Sequence, residues 1–418
     1  MRRLKRFLSA LAPAPVRSAY HLFLAYFGAL VYLFPSKKIR VLAVTGTKGK
    51  SSTTEMLNAI FEATGEKTAL INSIRFKIAE QSEPNLLRMS MPGRFFIQRF
   101  LADAVRAGCT TAILEMTSEG ARQYRHRAIE LDALIFLNLA PEHIESHGSY
   151  EAYSDAKFEI GKQLARSKKR PRVVVANADD KESARYLLLP VEAALPFSLS
   201  GTTPYEASDH GGYFTFEGEK IETKLPGEFS LKNALAAATL ARAFHVPVDA
   251  IKRGLANLTR IPGRAEEIDA GQNFSVVVDY AHTPDSLQAL YEAYGSRRKI
   301  CVLGSTGGGR DIWKRPVMGG VADTLCDEII LTNEDPYDED PQMIVRQLAK
   351  GMQREPKIIM DRREAIRAAL ALARPGDAVL ITGKGTDPCI CIANGEKIPW
   401  SDAQVAREEI ERLRSQRV

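Results

Sequence analysis

A short segment near the N-terminal end has the residue types and spacing of a phosphate-binding loop. Thr45 to Ser52 reads Thr-Gly-Thr-Lys-Gly-Lys-Ser-Ser and directly follows a run, Ile39 to Val44, that is apolar except for Arg40. In such a loop glycines let backbone N–H groups approach phosphate oxygens, a lysine balances phosphate charge, and a serine hydroxyl can bind Mg²⁺. Because Val44 stands where the general consensus has a glycine, the segment alone would also fit a structural turn. We predict that ATP and Mg²⁺ are held here by Gly46, Thr47, Lys48, Gly49, Lys50, Ser51 and Ser52.

Acidic, amide, histidine and lysine residues follow the loop at the ends of predicted strands or on a predicted helix. Glu115 and Asn138 each end an apolar run, His143 lies in the polar segment after Asn138, and Lys157 stands on a predicted helix. Taken singly, Glu115 could be merely solvated, His143 would more often be structural than a metal ligand, and Lys157 would more often be a surface lysine. Their order along the chain, and not any one residue, is what indicates a common function.

That order resembles the Mur ligase family, whose members use ATP to join a carboxylate to an amine. The similarity rests on the loop, on Glu115-Met116-Thr117-Ser118, and on the segments Asn138 to Gly148, Tyr153 to Lys157 and Asn177 to Asp180. The resemblance implies an acyl-phosphate intermediate and carbamylation of Lys157. It also implies catalytic roles for Lys50, His143 and Lys157, and metal binding by Ser51, Glu115, His143 and Lys157.

The C-terminal half resembles the family members that add the third residue of a muramoyl peptide. The similarity rests on Pro262-Gly263-Arg264, Asp279 to Asp285, the glycine-rich Gly304 to Asp311, and Gly383-Lys384-Gly385. The substrates implied are a muramoyl-dipeptide acceptor and a free amino acid, as in peptidoglycan precursor synthesis. Nucleotide contacts are implied for Asn138, Asn233, Arg264, Asp279 and His282. An amino-acid site is implied at Arg310, Asp335, Tyr337, Gly383 and Asp387.

Two positions depart from the family pattern. Glu334-Asp335-Pro336-Tyr337 stands where these members usually have Asp-Asn-Pro-Arg, so the bidentate carboxylate clamp of an arginine is lost at Tyr337. Arg310 could still bind the α-carboxylate, and Asp387 could hold a side-chain amine. We therefore expect a diamino acid, either a basic one such as lysine or ornithine, or diaminopimelate in an unusual pocket. Glu119 replaces a histidine of the family and is assigned no catalytic role.

The N-terminal segment is basic and then apolar. Arg2, Arg3, Lys5 and Arg6 precede Ala19 to Phe34, which is interrupted only by His21 and is short for a membrane-spanning helix. The alternatives are an interfacial helix at the membrane through residues 16–35, a helix packed on the protein, or an anchor; a signal peptide is weakly supported. Because this segment stands in place of the family's uridine-nucleotide domain, the acceptor is either UDP-linked, which we favour, or lipid-linked.

The elements that must position these residues are those of an α/β protein. The chain has 418 residues, 45% hydrophobic and 26% charged, as expected of two or three folded domains. Apolar runs alternate with helical stretches on both sides of a turn-rich interval, Leu199 to Lys224. We predict an N-terminal segment, 1–38, a central ATP-binding domain with a parallel sheet, 39–262, and a Rossmann-like α/β domain, 263–418.

Other functions fit the sequence less well. The basic clusters have no interleaved aromatic residues, which argues against nucleic-acid binding at a net charge of +6. Five cysteines without CxxC spacing make a zinc ribbon or a disulfide framework unexpected and favour a reducing cytoplasm. A folylpolyglutamate or cyanophycin synthetase, a lipid II amidating subunit, and a non-enzymatic phosphate-loop module stay as alternatives. We expect a monomer.

Overall fold

A computed structural model describes residues 14–142, 144–295, 297–309 and 311–416. Contacts divide the chain into two compact units. The first consists of the residues up to Pro141 together with His147–Thr202 and Asn233–Asn257. The second consists of Glu142–Ser146, Thr203–Lys232 and the residues from Leu258 onward. The domain limits at residues 38 and 262 stay a prediction.

Strands and helices alternate along most of the described chain. The strands are β1 Arg40–Thr45, β2 Thr68–Ile71, β3 Arg75–Ile78, β4 Gln81–Pro84, β5 Thr111–Glu115, β6 Ala133–Phe136, β7 Val173–Asn177, β8 Ala193–Phe197, β9 Tyr205–Ser208, β10 Gly211–Phe216, β11 Glu219–Thr223, β12 Glu266–Glu267, β13 Ser275–Asp279, β14 Lys299–Leu303, β15 Glu328–Leu331, β16 Lys357–Ile358, β17 Ala378–Thr382, β18 Cys389–Cys391 and β19 Lys397–Pro399. The helices are α1 Ala14–Val31, α2 Lys50–Glu62, α3 Arg94–Arg106, α4 Ser118–Arg122, α5 Ile144–His147, α6 Tyr150–Arg166, α7 Ser183–Leu187, α8 Glu228–Ala243, α9 Val248–Asn257, α10 Pro284–Ala293, α11 Lys314–Leu325, α12 Pro341–Ala349, α13 Arg362–Leu372 and α14 Asp402–Ser415.

The first unit is built on an eight-stranded sheet of order β4-β3-β2-β5-β1-β6-β7-β8. From β2 to β8 neighbouring strands are parallel, and β3 and β4 extend the edge antiparallel. Strand β1 lies between β5 and β6 and is almost wholly buried, as expected of an apolar strand covered on both faces. Its carboxyl end therefore lies beside those of two other strands, which places Glu115 and the residues after Phe136 next to the loop.

The second unit is built on a six-stranded sheet of order β12-β13-β17-β14-β15-β16. Only β12 is antiparallel within it. Separate apolar cores cover its two faces, one containing α10 and α11 residues and the other containing α13 and α14 residues. The turn-rich interval Leu199 to Lys224 contains the three antiparallel strands β9, β10 and β11.

The α/β class with two largely parallel sheets is confirmed, and two details differ from expectation. The antiparallel strands β3 and β4 were not predicted, because β4 is polar and exposed and β3 alternates charged with apolar residues over only four positions. Cys301 and Cys326 form a disulfide, which cysteine spacing did not suggest because the fold brings together residues 25 apart. Among the described residues, no helix combines the length and apolar character needed to cross a membrane.

Candidate functional site

The loop after β1 is fixed by contacts that leave no room for larger residues. A Cβ on Gly46 would lie 2.9 Å from Leu137 Cβ, and one on Gly49 would lie 2.3 Å from Asn233 Oδ1. Gly49 also has φ +80°, a conformation that favours glycine. Asn138 Oδ1 accepts hydrogen bonds from the backbone N–H groups of Thr47 and Lys48 at 3.1 and 2.8 Å. The predicted nucleotide residues Asn138 and Asn233 thus both contact the loop.

Helix α2 begins directly at the loop, with Gly49 as its N-cap. Glycine provides no side chain to cap the first N–H groups, so the helix end can donate to an anion. Lys50 Nζ donates to the carbonyl oxygen of Thr47 at 2.8 Å, which holds its ammonium group over the loop. Ser51 and Ser52 follow in the first turn. The arrangement provides backbone donors and a cation at one point, as phosphate binding requires.

Two predicted metal ligands meet beside the loop. Ser51 Oγ donates to Glu115 Oε2 at 2.7 Å, and both side chains are buried. Ser73, which was not predicted, lies 2.8 Å from Ser51 Oγ and donates its backbone N–H to Glu115 Oε2 at 3.1 Å. The feature of the sequence that could have indicated Ser73 is its position just after β2, the strand that pairs with β5. The cluster offers hard oxygen atoms, the ligands that Mg²⁺ prefers.

Lys157 is buried, not a surface lysine, with an exposed fraction of 2%. From α6 its Nζ donates to the carbonyl oxygen of Gly46 at 2.6 Å and lies 4.9 Å from the centre of the Tyr153 ring. Tyr153 in turn places its hydroxyl 3.0 Å from Thr47 Oγ1. The fold therefore brings an amine to the loop from a residue more than 100 positions further along the chain. Tyr153 is a second contact that was not assigned a role from the sequence.

In the second unit, Asp279 and His282 lie at the end of β13. Asp279 accepts from the backbone N–H groups of Ala265 and Ala281, both at 2.6 Å. Burial raises the pKa of Asp279, opposed by the neighbouring Arg264 guanidinium and these two N–H groups. His282 has Nδ1 2.6 Å from the carbonyl oxygen of Tyr280 and Nε2 3.1 Å from Glu142 Oε1.

Arg264 lies close to Asp279 and His282, because residues beside it in the chain and in space are packed against the same segments. Its guanidinium lies over the Tyr280 ring, 4.5 Å from the centre. The preceding Gly263 has φ +60°, and a Cβ there would lie 2.5 Å from the backbone nitrogen of Thr386. Only glycine lets these two segments approach so closely. The predicted residues Arg264, Asp279 and His282 are therefore brought together.

A buried ion pair connects residues that are predicted to bind the amino-acid substrate. Lys384 Nζ lies 2.8 Å from Asp335 Oδ1 and 3.5 Å from Asp387 Oδ2. Asp335 Oδ1 also accepts the backbone N–H of Cys391 at 2.7 Å. Tyr337 donates its N–H to the carbonyl oxygen of Cys391 at 3.1 Å. Asp335, Tyr337 and Asp387 are thus joined through residues that were assigned no role, although Lys384 stands within the quoted Gly-Lys-Gly motif.

Glu334 is a further residue that sequence reasoning missed. A Cβ on Gly383 would lie 2.3 Å from Glu334 Oε2, and one on Gly304 would lie 2.8 Å from Glu334 Cβ. Thr306 donates to Glu334 Oε1 at 2.8 Å, whereas Oε2 is buried without a hydrogen-bond partner in the described part of the chain. Gly383 and the glycine-rich segment therefore pack around a buried carboxyl group.

Two predicted residues, His143 and Arg310, lie outside the described residues. Within the described ranges, no group of three or more His, Cys, Asp or Glu side chains is placed to hold a metal ion. The Ser51–Glu115 cluster has one carboxylate, which suits a cation whose other ligands are phosphate oxygens and water.

Models of two protein families match this chain. The Mur ligase middle domain matches residues 44–241, and the Mur ligase glutamate ligase domain matches residues 263–385. A UDP-N-acetylmuramyl-tripeptide synthetase of Roseiflexus sp. (strain RS-1) is 36% identical over 93% of this chain and 82% of its own. A UDP-N-acetylmuramoyl-L-alanyl-D-glutamate–2,6-diaminopimelate ligase of Geobacillus kaustophilus (strain HTA426) is 34% identical over 90% of this chain and 80% of its own.

Solved structures agree with these relatives. A UDP-N-acetylmuramoyl-L-alanyl-D-glutamate–2,6-diaminopimelate ligase has a TM-score of 0.64 at 27% identity, covering 96% of this chain and 83% of its own. A Mycobacterium tuberculosis folylpolyglutamate synthase complexed with ADP and AMPPCP has a TM-score of 0.68 at 16% identity, covering 88% of this chain and 93% of its own. The second likeness concerns the fold alone.

Proposed function

The chain belongs to the Mur ligase family, and from that premise we propose that it uses ATP to join a muramoyl-dipeptide carboxylate to a diamino acid. The observation that carries the proposal is the loop cluster. Lys50, the uncapped start of α2, the Ser51–Glu115 pair and Lys157 meet at the end of β1. This set can bind a nucleoside triphosphate and stabilise charge on its terminal phosphate.

Mg²⁺ fits the oxygen atoms of this cluster. Ser51 Oγ and Glu115 Oε2 are 2.7 Å apart and both are buried. We propose that these two residues hold the ion, with His143 and modified Lys157 as ligands of a second. When bound, Mg²⁺ would neutralise phosphate charge.

The reaction proposed has two steps, since a carboxylate does not react with an amine without activation. An oxygen of the acceptor carboxylate attacks the γ-phosphorus, the bond to the β,γ-bridging oxygen breaks, and ADP leaves. The amine nitrogen then attacks the carbonyl carbon of the acyl phosphate. Inorganic phosphate leaves, the nitrogen loses a proton, and an amide remains. Lys50 and the loop N–H groups would hold the phosphates in line during the first step.

Lys157 is proposed as the residue that becomes carbamylated. Its burial makes a positive charge costly, and its Nζ already reaches Gly46 at 2.6 Å. Addition of CO₂ to the amine turns the cation into an anion that can bind a metal ion. Activity should therefore fall when bicarbonate and CO₂ are removed from the wild-type enzyme and return on their addition. An Lys157→Arg enzyme that retained wild-type activity would contradict this role.

The amino-acid site is proposed at the carboxyl ends of β15 and β17. The side chain of Asp335 is 3% exposed and that of Asp387 is 19% exposed, so Asp387 is our choice for contact with the side-chain amine of the substrate. Tyr337 replaces the arginine that would clamp a second carboxylate. Arg310 is proposed to bind the α-carboxylate of the amino-acid substrate. Gly383 is proposed to let that substrate approach the backbone closely. The relatives' names specify diaminopimelate, and the proposal for this chain extends to lysine and ornithine.

We propose that Asn138, Asn233, Arg264, Asp279 and His282 contact ATP. We further propose that the acceptor is UDP-linked and that the enzyme acts as a monomer in the cytoplasm. A lipid-linked carrier is the second candidate for the acceptor. The two carriers give different products from the same chemistry. They are therefore separated by supplying each acceptor in turn.

The test is phosphate release by the purified full chain with ATP, Mg²⁺ and UDP-N-acetylmuramoyl-L-alanyl-D-glutamate. Diaminopimelate, lysine, ornithine and a blank without amino acid are compared. Release that depends on one diamino acid, with the amide identified by mass, is the expected result. Release only with a lipid-linked acceptor would transfer the proposal to that carrier. No amino-acid-dependent release with either would exclude the ligase reaction.

A further inference from the structure

Helix α1 has small residues on its buried side and large apolar residues on its exposed side. Ala25, Gly28 and Ala29 are buried. This pattern is the reverse of an ordinary surface helix, which turns its large apolar side chains inward. A continuous exposed apolar face of this kind indicates an interaction site. The exposed large residues of the helix are Val16, Tyr20, Leu22, Phe23, Tyr26, Phe27, Leu30 and Val31.

The buried side fixes α1 on the first unit. Gly28 lies against Phe95 of α3, with a built Cβ 3.6 Å from the ring. The rings of Phe27 and Phe95 meet edge to face at 5.9 Å. On the outer side, Phe23 and Phe27 stack at 5.6 Å. The aromatic face is therefore held in place by packing on α3.

The charged residues in the part of the sequence that contains α1 all have one sign. Residues 1–40 contain eight Lys or Arg and no Asp or Glu, whereas the whole chain has 57 basic and 51 acidic residues. The rest of the chain is therefore nearly neutral, and the positive excess lies in the segment that contains α1. The first acidic residue is Glu55. A second copy of the chain would bring an identical positive segment against this one, whereas an anionic surface would attract it.

The geometry of α1 suits a helix that lies along a surface. Its 18 residues span about 27 Å, less than the hydrocarbon thickness of a bilayer. One side is packed on α3, so lipid cannot surround it. Tyr20 and Tyr26 combine an apolar ring with a hydroxyl, as is typical of residues at the boundary between water and lipid.

We propose that α1 docks on an anionic lipid bilayer. The exposed aromatic and aliphatic side chains enter the headgroup region, and the exposed Lys37 and Lys38 contact lipid phosphates. The positive charge of residues 1–40 attracts the anionic surface. This inference goes beyond the proposed ligase function and does not rest on it. Docking would hold the enzyme at the membrane whichever acceptor it uses.

The test is sedimentation of the purified full chain with vesicles, without ATP or other substrates. We expect binding to vesicles of phosphatidylglycerol and phosphatidylcholine, and at least about tenfold weaker binding to phosphatidylcholine alone or in high salt. Phe23→Glu combined with Leu30→Glu should weaken binding about 100-fold. Both residues are exposed and should be replaceable without unfolding, which circular dichroism would verify.

Leu188→Glu is the matched control, because this leucine is 84% exposed, belongs to the first unit and lies outside α1. It should bind vesicles as the wild type does. Equal binding by wild type and the Phe23/Leu30 variant would overturn the proposal, as would equal binding to anionic and neutral vesicles. So would a lack of vesicle binding together with a dimer in sedimentation velocity that Phe23→Glu abolishes, since a second copy would then cover the face. Because no substrate is present, failure here leaves the ligase proposal untouched.

Discussion

The loop after β1 and the cluster at the ends of β15 and β17 both follow buried parallel strands, yet their lysines have different partners. Lys50 and Lys157 donate to backbone carbonyl oxygens of the loop, those of Thr47 and Gly46. Lys384 donates instead to a buried carboxylate, that of Asp335. In the proposed function Lys50 contributes its positive charge to a phosphate, whereas the amine of Lys157 reacts with CO₂ and becomes an anion. A lysine paired with a carboxylate mainly shapes the surrounding site.

The two regions also differ in the contribution of one continuous segment of the chain. The loop and its helix N-terminus come from one continuous segment, Thr45 to Ser52, with Glu115, Asn138 and Lys157 added by the fold. The second cluster takes each contact from a different segment, around Asp335, Lys384 and Cys391. The first region should therefore respond to substitution mainly through catalysis, and the second mainly through stability and substrate choice.

The largest effect is expected at Lys50. Replacement by methionine keeps the length of the side chain but removes the charge that would stabilise the transferred phosphate. We expect kcat to fall about 10³-fold while the fold is retained. Single-turnover phosphate release measures this. Lys67→Met, an exposed lysine of the same unit, is the control and should be as active as the wild type. A fall in kcat of less than about tenfold for Lys50→Met would contradict the proposal that the charge of Lys50 stabilises the transferred phosphate.

Lys384→Met should act on stability. It leaves the Asp335 carboxylate, 2% exposed, without its cationic partner. We expect the free energy of unfolding to fall by about 3–5 kcal/mol, measured by urea denaturation with the fluorescence of Trp313 and Trp400. Restoring neutrality with Asp335→Asn in the same chain should recover part of the loss. Lys350→Met is the exposed control of the same unit, and an equal effect there would contradict the expected role of the pair.

Glu115→Gln tests the oxygen cluster beside the loop. The substitution keeps the shape but removes the charge that Ser51 and Ser73 contact. We expect the Mg²⁺ concentration for half-maximal activity to rise about tenfold. A Mg²⁺ titration at saturating ATP measures it. Glu80→Gln, an exposed glutamate of the same unit, should leave the titration unchanged. An unchanged titration for Glu115→Gln would place the ion elsewhere.

Asp387→Asn should change substrate binding in the second unit with little effect on the first. Loss of one charged hydrogen-bond acceptor is expected to raise KM for the diamino acid about tenfold, with KM for ATP unchanged. Steady-state phosphate release with each substrate varied separately shows the split. Asp249→Asn, on an exposed helix start of the first unit, is the control. Equal changes in both KM values would mean that Asp387 does not discriminate between the substrates.

The smallest effect is expected at His126 of the first unit. Burial, assisted by the charge of Arg127, lowers the pKa of this histidine from 6.5 to about 3. The unfolded chain therefore takes up a proton below about pH 6.5 that the folded chain does not, so stability falls as pH decreases toward 3. Between about pH 7.5 and pH 5.5 the loss should be about 1 kcal/mol.

His126→Leu should remove this part of the pH dependence, because leucine does not titrate. Neither ring nitrogen of His126 has a hydrogen-bond partner among the described residues, so the substitution breaks none. Urea unfolding at the two pH values measures the difference. His245→Leu, in the same unit, is the control. A wild-type pH slope in His126→Leu would assign the effect to other groups.

Particular residues show how far sequence reasoning reached. Apolar runs identified β1, β5, β6 and β7 because strands covered on both faces cannot contain polar residues in their interior. Strand β4 is polar and β3 alternates charged with apolar residues over four positions, so neither contains an apolar run and both were missed. Lys157 was identified by resemblance, but its burial and its contact with Gly46 were not. Glu334, Lys384, Ser73 and Tyr153 were missed because their contacts come from other segments.

The sequence by itself determined the loop, the α/β order of the chain and the family resemblance, since each depends on residues close together or on their order. The tertiary structure alone decided which side chains meet: Ser51 with Glu115, Lys384 with Asp335, and small residues of α1 with α3. The physical reason is that strand order and helix packing set distances between segments far apart in the chain. Local residue patterns determine only the type of each element and the face it buries.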